Sequence, residues 1–147
     1  MSIVNKLKNK AGNFKETARR ARYAKYYKNL LIDDKVILYD SYFGRGMICN
    51  PYAIFLELKS NKDFKDYTHV WVIEDKYGNE PVMEQFKNDK NVFAISRHSD
   101  DHLRYLASAK YIITNVSLPF YYCKKEGQIY VNTWHGTPIK SLGYDMP

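Results

Sequence analysis

The chain reads as an α/β protein built on a doubly wound, mostly parallel sheet. Three observations predict this. Short apolar runs alternate with segments of helical pattern from about residue 35 onward, the order that parallel strands joined by crossover helices require. The first run, Lys35–Asp40 (KVILYD), is continuous rather than alternating, as a strand covered on both faces should be. Helix-start signals stand a few residues beyond the runs, at Asn50-Pro51, Pro81 and Ser99.

Residues 1–30 are set apart by charge. They carry nine Lys/Arg against one acid, Glu16, whereas the remaining residues hold fourteen bases and fifteen acids. The net charge of +7 therefore lives in this arm. Val4, Leu7, Ala11, Phe14, Ala18 and Ala21 recur at steps of three and four, one narrow face of a helix, with no proline to interrupt it. Two readings stand: a solvated basic helix, or a helix lying on an anionic membrane surface. In the second, Lys6, Lys8, Lys10, Lys15, Arg19 and Arg20 are the charges that meet lipid. Nucleic acid is not expected as a partner, because the neutral remainder has no basic surface and no recognisable nucleic-acid module.

Residues 35–147 form the globular unit, enough for one hydrophobic core. After the first strand, Asn50 and Pro51 open a helix over about 51–60. His69–Glu74 (HVWVIE) is the second strand, and Pro81 opens a helix near 80–88. Val92–Ile95 is the third strand. Ser99 caps a helix over about 100–109, with Asp100 and Asp101 in its positive first turn. Lys110–Thr114 and Gln128–Thr133 complete the sheet. No stretch approaches the length of a membrane span, and the N-terminus lacks the apolar core of a signal peptide. Cys49 and Cys123 form no metal or redox motif and suit a reducing cytoplasm.

Several features resemble chemistry without carrying it. Gly44-x-Gly46 follows the first strand, but a dinucleotide fingerprint wants a third glycine where Cys49 stands. His98 and His102 are four apart, yet Ser99 starts the helix between them, so they read as surface or cap residues. No metal and no cofactor is expected. His69 opens a strand and reads as structural. His135 differs. It follows the last strand, and Gly136-Thr137-Pro138 supplies a turn, an N-cap and a first helical position directly after it. A helix N-terminus disfavours imidazolium and favours nearby anions, which suits a neutral general base beside phosphate. A packed structural histidine fits the same residues.

The residues Asn132-Thr-Trp-His-Gly-Thr-Pro-Ile-Lys-Ser-Leu-Gly143 resemble the signature of the CDP-glycerol glycerophosphotransferases, the teichoic acid primases and polymerases of Gram-positive bacteria. Asp40-Ser41, Gly44 and Asn50-Pro51-Tyr-Ala-Ile54 are similar to the family's first strand, loop and helix start. Ile112-Ile-Thr-Asn115 with Leu118-Pro119 is similar to its strand and loop before the signature. Asp40 stands where the family pattern has Glu, and Cys49 where it has Asp.

The resemblance implies a GT-B fold of two Rossmann-like domains. It also implies transfer of glycerol phosphate or ribitol phosphate from CDP-glycerol or CDP-ribitol to a hydroxyl of a polyol-phosphate or lipid-linked acceptor, with release of CMP. His135 would be the general base. Gly136, Thr137 and Lys140, with Ser41, Gly44 and Asn115, would bind substrate or phosphate. The family's place on the cytoplasmic membrane face favours the lipid reading of the arm. The resemblance covers an acceptor-side domain, so a donor domain is expected to lie outside this chain, and the chain alone is expected to be inactive. The alternatives are a nucleotide-sugar transferase of GT-B type and a non-catalytic membrane-docking or acceptor-binding module.

Overall fold

A computed structural model describes residues 3–74 and 81–134, with side chains from residue 12 onward, Pro81 excepted. Five strands form one sheet in the order β3-β2-β1-β4-β5, where β1 is Asp33–Asp40, β2 Thr68–Ile73, β3 Val92–Ser96, β4 Ala109–Thr114 and β5 Ile129–Asn132. Every pairing is parallel: Leu38 stands beside both Val70 of β2 and Ile112 of β4, and Val70 beside Phe93 of β3. The helices are α1 Ile3–Asn29, α2 Cys49–Ser60, α3 Pro81–Glu84 and α4 Asp100–Ser108. The expected α/β class and all five strands are present.

The unbroken apolar runs have the physical cause the sequence suggests. Successive strand residues point to opposite faces, and both faces are buried. Val36, Leu38, Val70, Val72 and Ile112 pack with Leu103, Leu106 and Ala107 of α4. Ile37, Tyr39, Trp71, Ile73 and Ile113 pack on the other face with Phe55 of α2 and Met47. Trp71 and Phe55 are fully buried, and burying an aromatic of this kind contributes roughly 1.5–3 kcal/mol. His69 belongs to this second layer: it is buried and shares a 2.9 Å hydrogen bond with the Tyr39 hydroxyl. Its structural reading holds.

Three local expectations change. Asn50 lies inside the first turn of α2. The N-cap is Ile48, which makes no side-chain capping bond, and the Asn50 amide instead donates to the Trp134 carbonyl at 3.4 Å. The long-range partner has taken the side chain that sequence assigns to a local cap. The helix after Pro81 is one turn, not two, and is followed by turns closed by Phe86, whose carbonyl accepts from the Asp89 N–H at 2.8 Å. Asp89 is held there by an ion pair with Lys59. Ser99 behaves as expected, its hydroxyl accepting from the His102 N–H at 3.1 Å.

The third change concerns α1. Phe14 is 76% exposed and Ala21 is exposed, which agrees with a solvated or membrane-lying helix, yet α1 is not free of the domain. The packed face is Tyr23 with the half-buried Arg19, Tyr26 and Tyr27, one helical turn apart. Tyr23 is buried; its hydroxyl donates to the Cys123 carbonyl at 2.8 Å and accepts from the Cys123 N–H at 3.2 Å. Arg22 meets Asp100 at the start of α4 at 2.8 Å. The second half of α1 therefore shares a core with the sheet. Tyr23→Phe should cost about 1–2 kcal/mol in urea denaturation, since it leaves the Cys123 peptide groups unpaired. Phe14→Ala should stay within about 0.5 kcal/mol. A larger loss from Phe14→Ala than from Tyr23→Phe would contradict this assignment of the packed face.

Candidate functional site

The strand order places a switch point between β1 and β4: the chain moves from β1 to β2 and β3 on one side, then returns to build β4 and β5 on the other. In open parallel sheets ligands bind beyond the C-terminal strand ends at such a point. Here those ends are Asp40-Ser41 of β1, Thr114-Asn115 of β4 and Asn132–Trp134 after β5. Among the described residues, the non-glycine residues in the left-handed backbone region are Tyr42, Phe43, Cys49, His98 and Trp134. All lie at this edge. Such conformations cost on the order of 1–3 kcal/mol each and persist only where surrounding bonds enforce them.

Those bonds start from Asp40. Its carboxylate accepts the Gly44 N–H at 2.8 Å, and its second oxygen lies 4.0 Å from Nε of Arg97. The side chain is almost fully buried. Burial pushes the carboxyl up to about 6, while Arg97 and the Gly44 N–H hold it down. Ser41 is buried, and its hydroxyl donates to the Ile48 carbonyl at 3.0 Å, closing the loop on itself. Gly44 sits at φ +81°, its carbonyl accepting from the Glu74 N–H at 2.8 Å; a Cβ there would lie 2.8 Å from that nitrogen. Only glycine allows this approach.

Across the switch point, Asn115 is buried and its Oδ1 accepts the Tyr42 N–H at 2.9 Å. Its Nδ2 is buried and helps hold the Cys49 thiol below its ordinary value. Thr133 extends the β4–β5 pairing by one residue, its N–H donating to the Thr114 carbonyl at 2.8 Å. The Trp134 N–H then donates to Oδ1 of Asn132 at 2.9 Å, which turns the chain, and its carbonyl meets Asn50 of α2. The Cys49 thiol, exposed at the start of α2, is pulled below its ordinary value chiefly by the Asn50 backbone N–H.

Ser41, Gly44 and Asn115 are thus brought together around one loop, with their polar groups used to hold it. His135, Gly136, Thr137 and Lys140 lie outside the described residues, as do the side chains of Lys6, Lys8 and Lys10. Lys15 and Arg20 are exposed, and Arg19 is half-buried with Glu16 at 3.7 Å. His98 and His102 form a cap, the His98 N–H donating to Nδ1 of His102 at 3.0 Å, but His102 is buried rather than at the surface. The sequence reading missed Arg97 and gave Asp40 no part in the site. A carboxylate ending a fully apolar strand is the signal that marks Asp40; Arg97 has none, because its partner lies on a distant strand.

The family described as CDP-glycerol:poly(glycerophosphate) glycerophosphotransferase matches residues 16–147. A teichoic acid poly(glycerol phosphate) polymerase of Bacillus spizizenii is 40% identical over 114 residues, which is 78% of this chain and 27% of that protein. The polymerase of the same description in Bacillus subtilis is 31% identical over 135 residues, 87% of this chain and 17% of that one. The wall teichoic acid polymerase TagF, in a variant crystal soaked with CDPG, superposes with a TM-score of 0.73 at 23% identity; it covers 100% of this chain and 35% of TagF. That likeness bears out the fold, a Rossmann-like parallel sheet of GT-B kind. The chain spans about a third or less of the length of these proteins. With residues 16–147 matched, the chain belongs to the CDP-glycerol:poly(glycerophosphate) glycerophosphotransferase family.

Proposed function

We propose that the chain is the acceptor-side part of a CDP-polyol phosphotransferase of teichoic acid or related polymer synthesis. The acceptor hydroxyl attacks the phosphorus that carries glycerol in CDP-glycerol, or ribitol in CDP-ribitol. The bond from that phosphorus to the CMP oxygen breaks, and CMP leaves. His135 takes the proton of the hydroxyl as it attacks. Gly136, Thr137 and Lys140 supply N–H groups, a hydroxyl and a charge toward the phosphates, so positioning and charge stabilisation carry most of the rate. The observation that supports this reading is the anchoring of Trp134, the residue before His135. Its carbonyl is tied to Asn50 at the mouth of the switch point, within the loop system held by Asp40 and Asn115. Family membership argues against a nucleotide-sugar donor.

In this reading Asp40, Ser41, Gly44 and Asn115 position the loop that forms one wall of the site. The N-terminal half of α1 attaches the protein to the cytoplasmic face of an anionic membrane, as a peripheral contact. No described helix is long and apolar enough to cross a bilayer.

Three outcomes follow from this proposal. In the full-length enzyme, His135→Ala should lower turnover by about 10²–10⁴-fold, the range of general acid–base catalysis, with donor affinity little changed. Near-normal turnover would remove the general-base role. For the arm, replacing Lys6, Lys8, Lys10, Lys15 and Arg20 by Gln spares the packed Tyr23 face. Sedimentation with phosphatidylglycerol vesicles should be strong at low salt, fall as ionic strength rises, and be largely lost in the variant. Equal binding to neutral vesicles would exclude charge as the cause.

The third concerns Asp40, whose folded-state value of about 6 lies above its ordinary 3.8. Between these values the native state keeps a proton that the unfolded chain has lost. Its stabilising contribution is therefore full below about pH 4 and declines as pH rises through about 6. Asp40→Asn keeps an acceptor for the Gly44 N–H and removes the ionisation, so its stability should lack that decline. Parallel stability profiles of the two proteins, by urea denaturation across this range, would contradict the assignment.

A further inference from the structure

Two free cysteines, Cys49 and Cys123, stand exposed on this domain. Their surroundings differ. Cys49 opens α2, a helix of 12 residues, where the first backbone N–H groups have no intrahelical acceptor and the dipole favours negative charge. Cys123 lies in the non-helical segment between β4 and β5, its sulfur 4.0 Å from the Tyr27 hydroxyl.

Three donors from three parts of the chain converge on the Cys49 sulfur. The Tyr42 hydroxyl, from the first loop, donates to it at 3.9 Å. The Asn50 backbone N–H comes from the first turn of α2, and the side-chain amide of Asn115 from beyond the end of β4. Asn115 is the independent sign that this sulfur is charged. It is fully buried, and its Oδ1 is committed to the Tyr42 N–H. Its Nδ2 meets no nitrogen or oxygen acceptor among the described residues and is directed at the sulfur. A buried donor left unpaired is costly, and a neutral thiol is a weak acceptor. A thiolate is a strong one.

The three donors therefore form a cradle for a negative charge. The thiol is pulled below its ordinary value, chiefly by the Asn50 N–H, with Asn115 and Tyr42 adding to it. The Tyr42 hydroxyl moves the opposite way, upward, as a donor to that sulfur should. Cys49 also stands where the family pattern has Asp, itself an anion. Unlike a buried thiolate, this one is open to solvent, the condition under which a cysteine reacts.

We propose that Cys49 is a site of reversible thiolation, in which its thiolate, cradled by Asn50, Asn115 and Tyr42, attacks a low-molecular-weight disulfide. The sulfur–sulfur bond of that molecule breaks, a new one forms to Cys49, and the other half leaves as a thiolate. One disulfide replaces another, and excess free thiol reverses the step. The adduct stands where the first loop, α2 and the end of β4 meet, beside Asn50, whose amide holds the Trp134 carbonyl. This rests on the cradle alone and holds whether or not residue 135 is a base. The test treats the intact 147-residue chain with glutathione disulfide at neutral pH and reads the adduct at both cysteines by peptide mass spectrometry. Cys123, in the same molecule, is the control. Cys49 should be thiolated about fivefold or more faster than Cys123, and dithiothreitol should remove the adduct. In denaturing urea the preference should vanish, because the cradle exists only in the fold. Tyr42→Phe removes an exposed hydroxyl and leaves the fold intact; it and Asn115→Leu should each slow Cys49 and leave Cys123 unchanged. Equal or slower reaction of Cys49, a preference that persists in urea, or a Cys49 rate untouched by both variants would overturn the proposal.

Discussion

One buried carboxylate organises the switch-point edge of this domain, where the candidate site lies. Asp40 ends the central strand, where solvent is excluded and an unpaired charge would be costly. It is tolerated because the Gly44 N–H and the Arg97 guanidinium meet it from two different loops. Those two contacts join the β1–α2 connection to the β3–α4 connection. The backbone conformations that follow, from Tyr42 through Cys49, are strained for residues with side chains and need such ties. Asn115 adds a third tie from β4, so the loop is held from both sides of the switch point.

Catalysis of phosphoryl transfer depends on fixed geometry more than on covalent help. Under the proposed function, the loop tied by Asp40, Arg97 and Asn115 would supply that fixity. The segment leading to the signature histidine is held in the same manner: Thr133 continues the sheet, Asn132 turns the chain, and Asn50 fastens the Trp134 carbonyl. These three residues fall within or beside the motifs that carry the family resemblance, so the same residues that mark the family also do identifiable structural work.

Much of the fold was legible because its causes are local. The continuous runs around Leu38, Trp71 and Ile112 report two covered faces directly, and Ser99 caps its helix with a bond to a residue three positions on. What escaped the sequence depends on partners far along the chain. Tyr23 bonds Cys123 a hundred residues away, and so the packing of α1 on the domain left no local signal. Asn50 left its expected capping role for Trp134. Gln128, read only as the start of a strand, is buried and donates to the Leu106 and Ala109 carbonyls, which closes the end of α4. In the site, the glycine and the motif residues were legible by type, whereas the Asp40–Arg97 pairing was not.

The most direct test of the account is whether an acceptor settles at the switch-point edge. Amide NMR of the labelled chain, titrated with a short glycerol phosphate oligomer, reads both edges of the sheet at once. The account predicts shifts at Tyr42, Gly44, Asn115 and Thr133, with Asp33, Thr68 and Val92 at the opposite edge unmoved. Shifts confined to that opposite edge, or none at saturating oligomer, would contradict it.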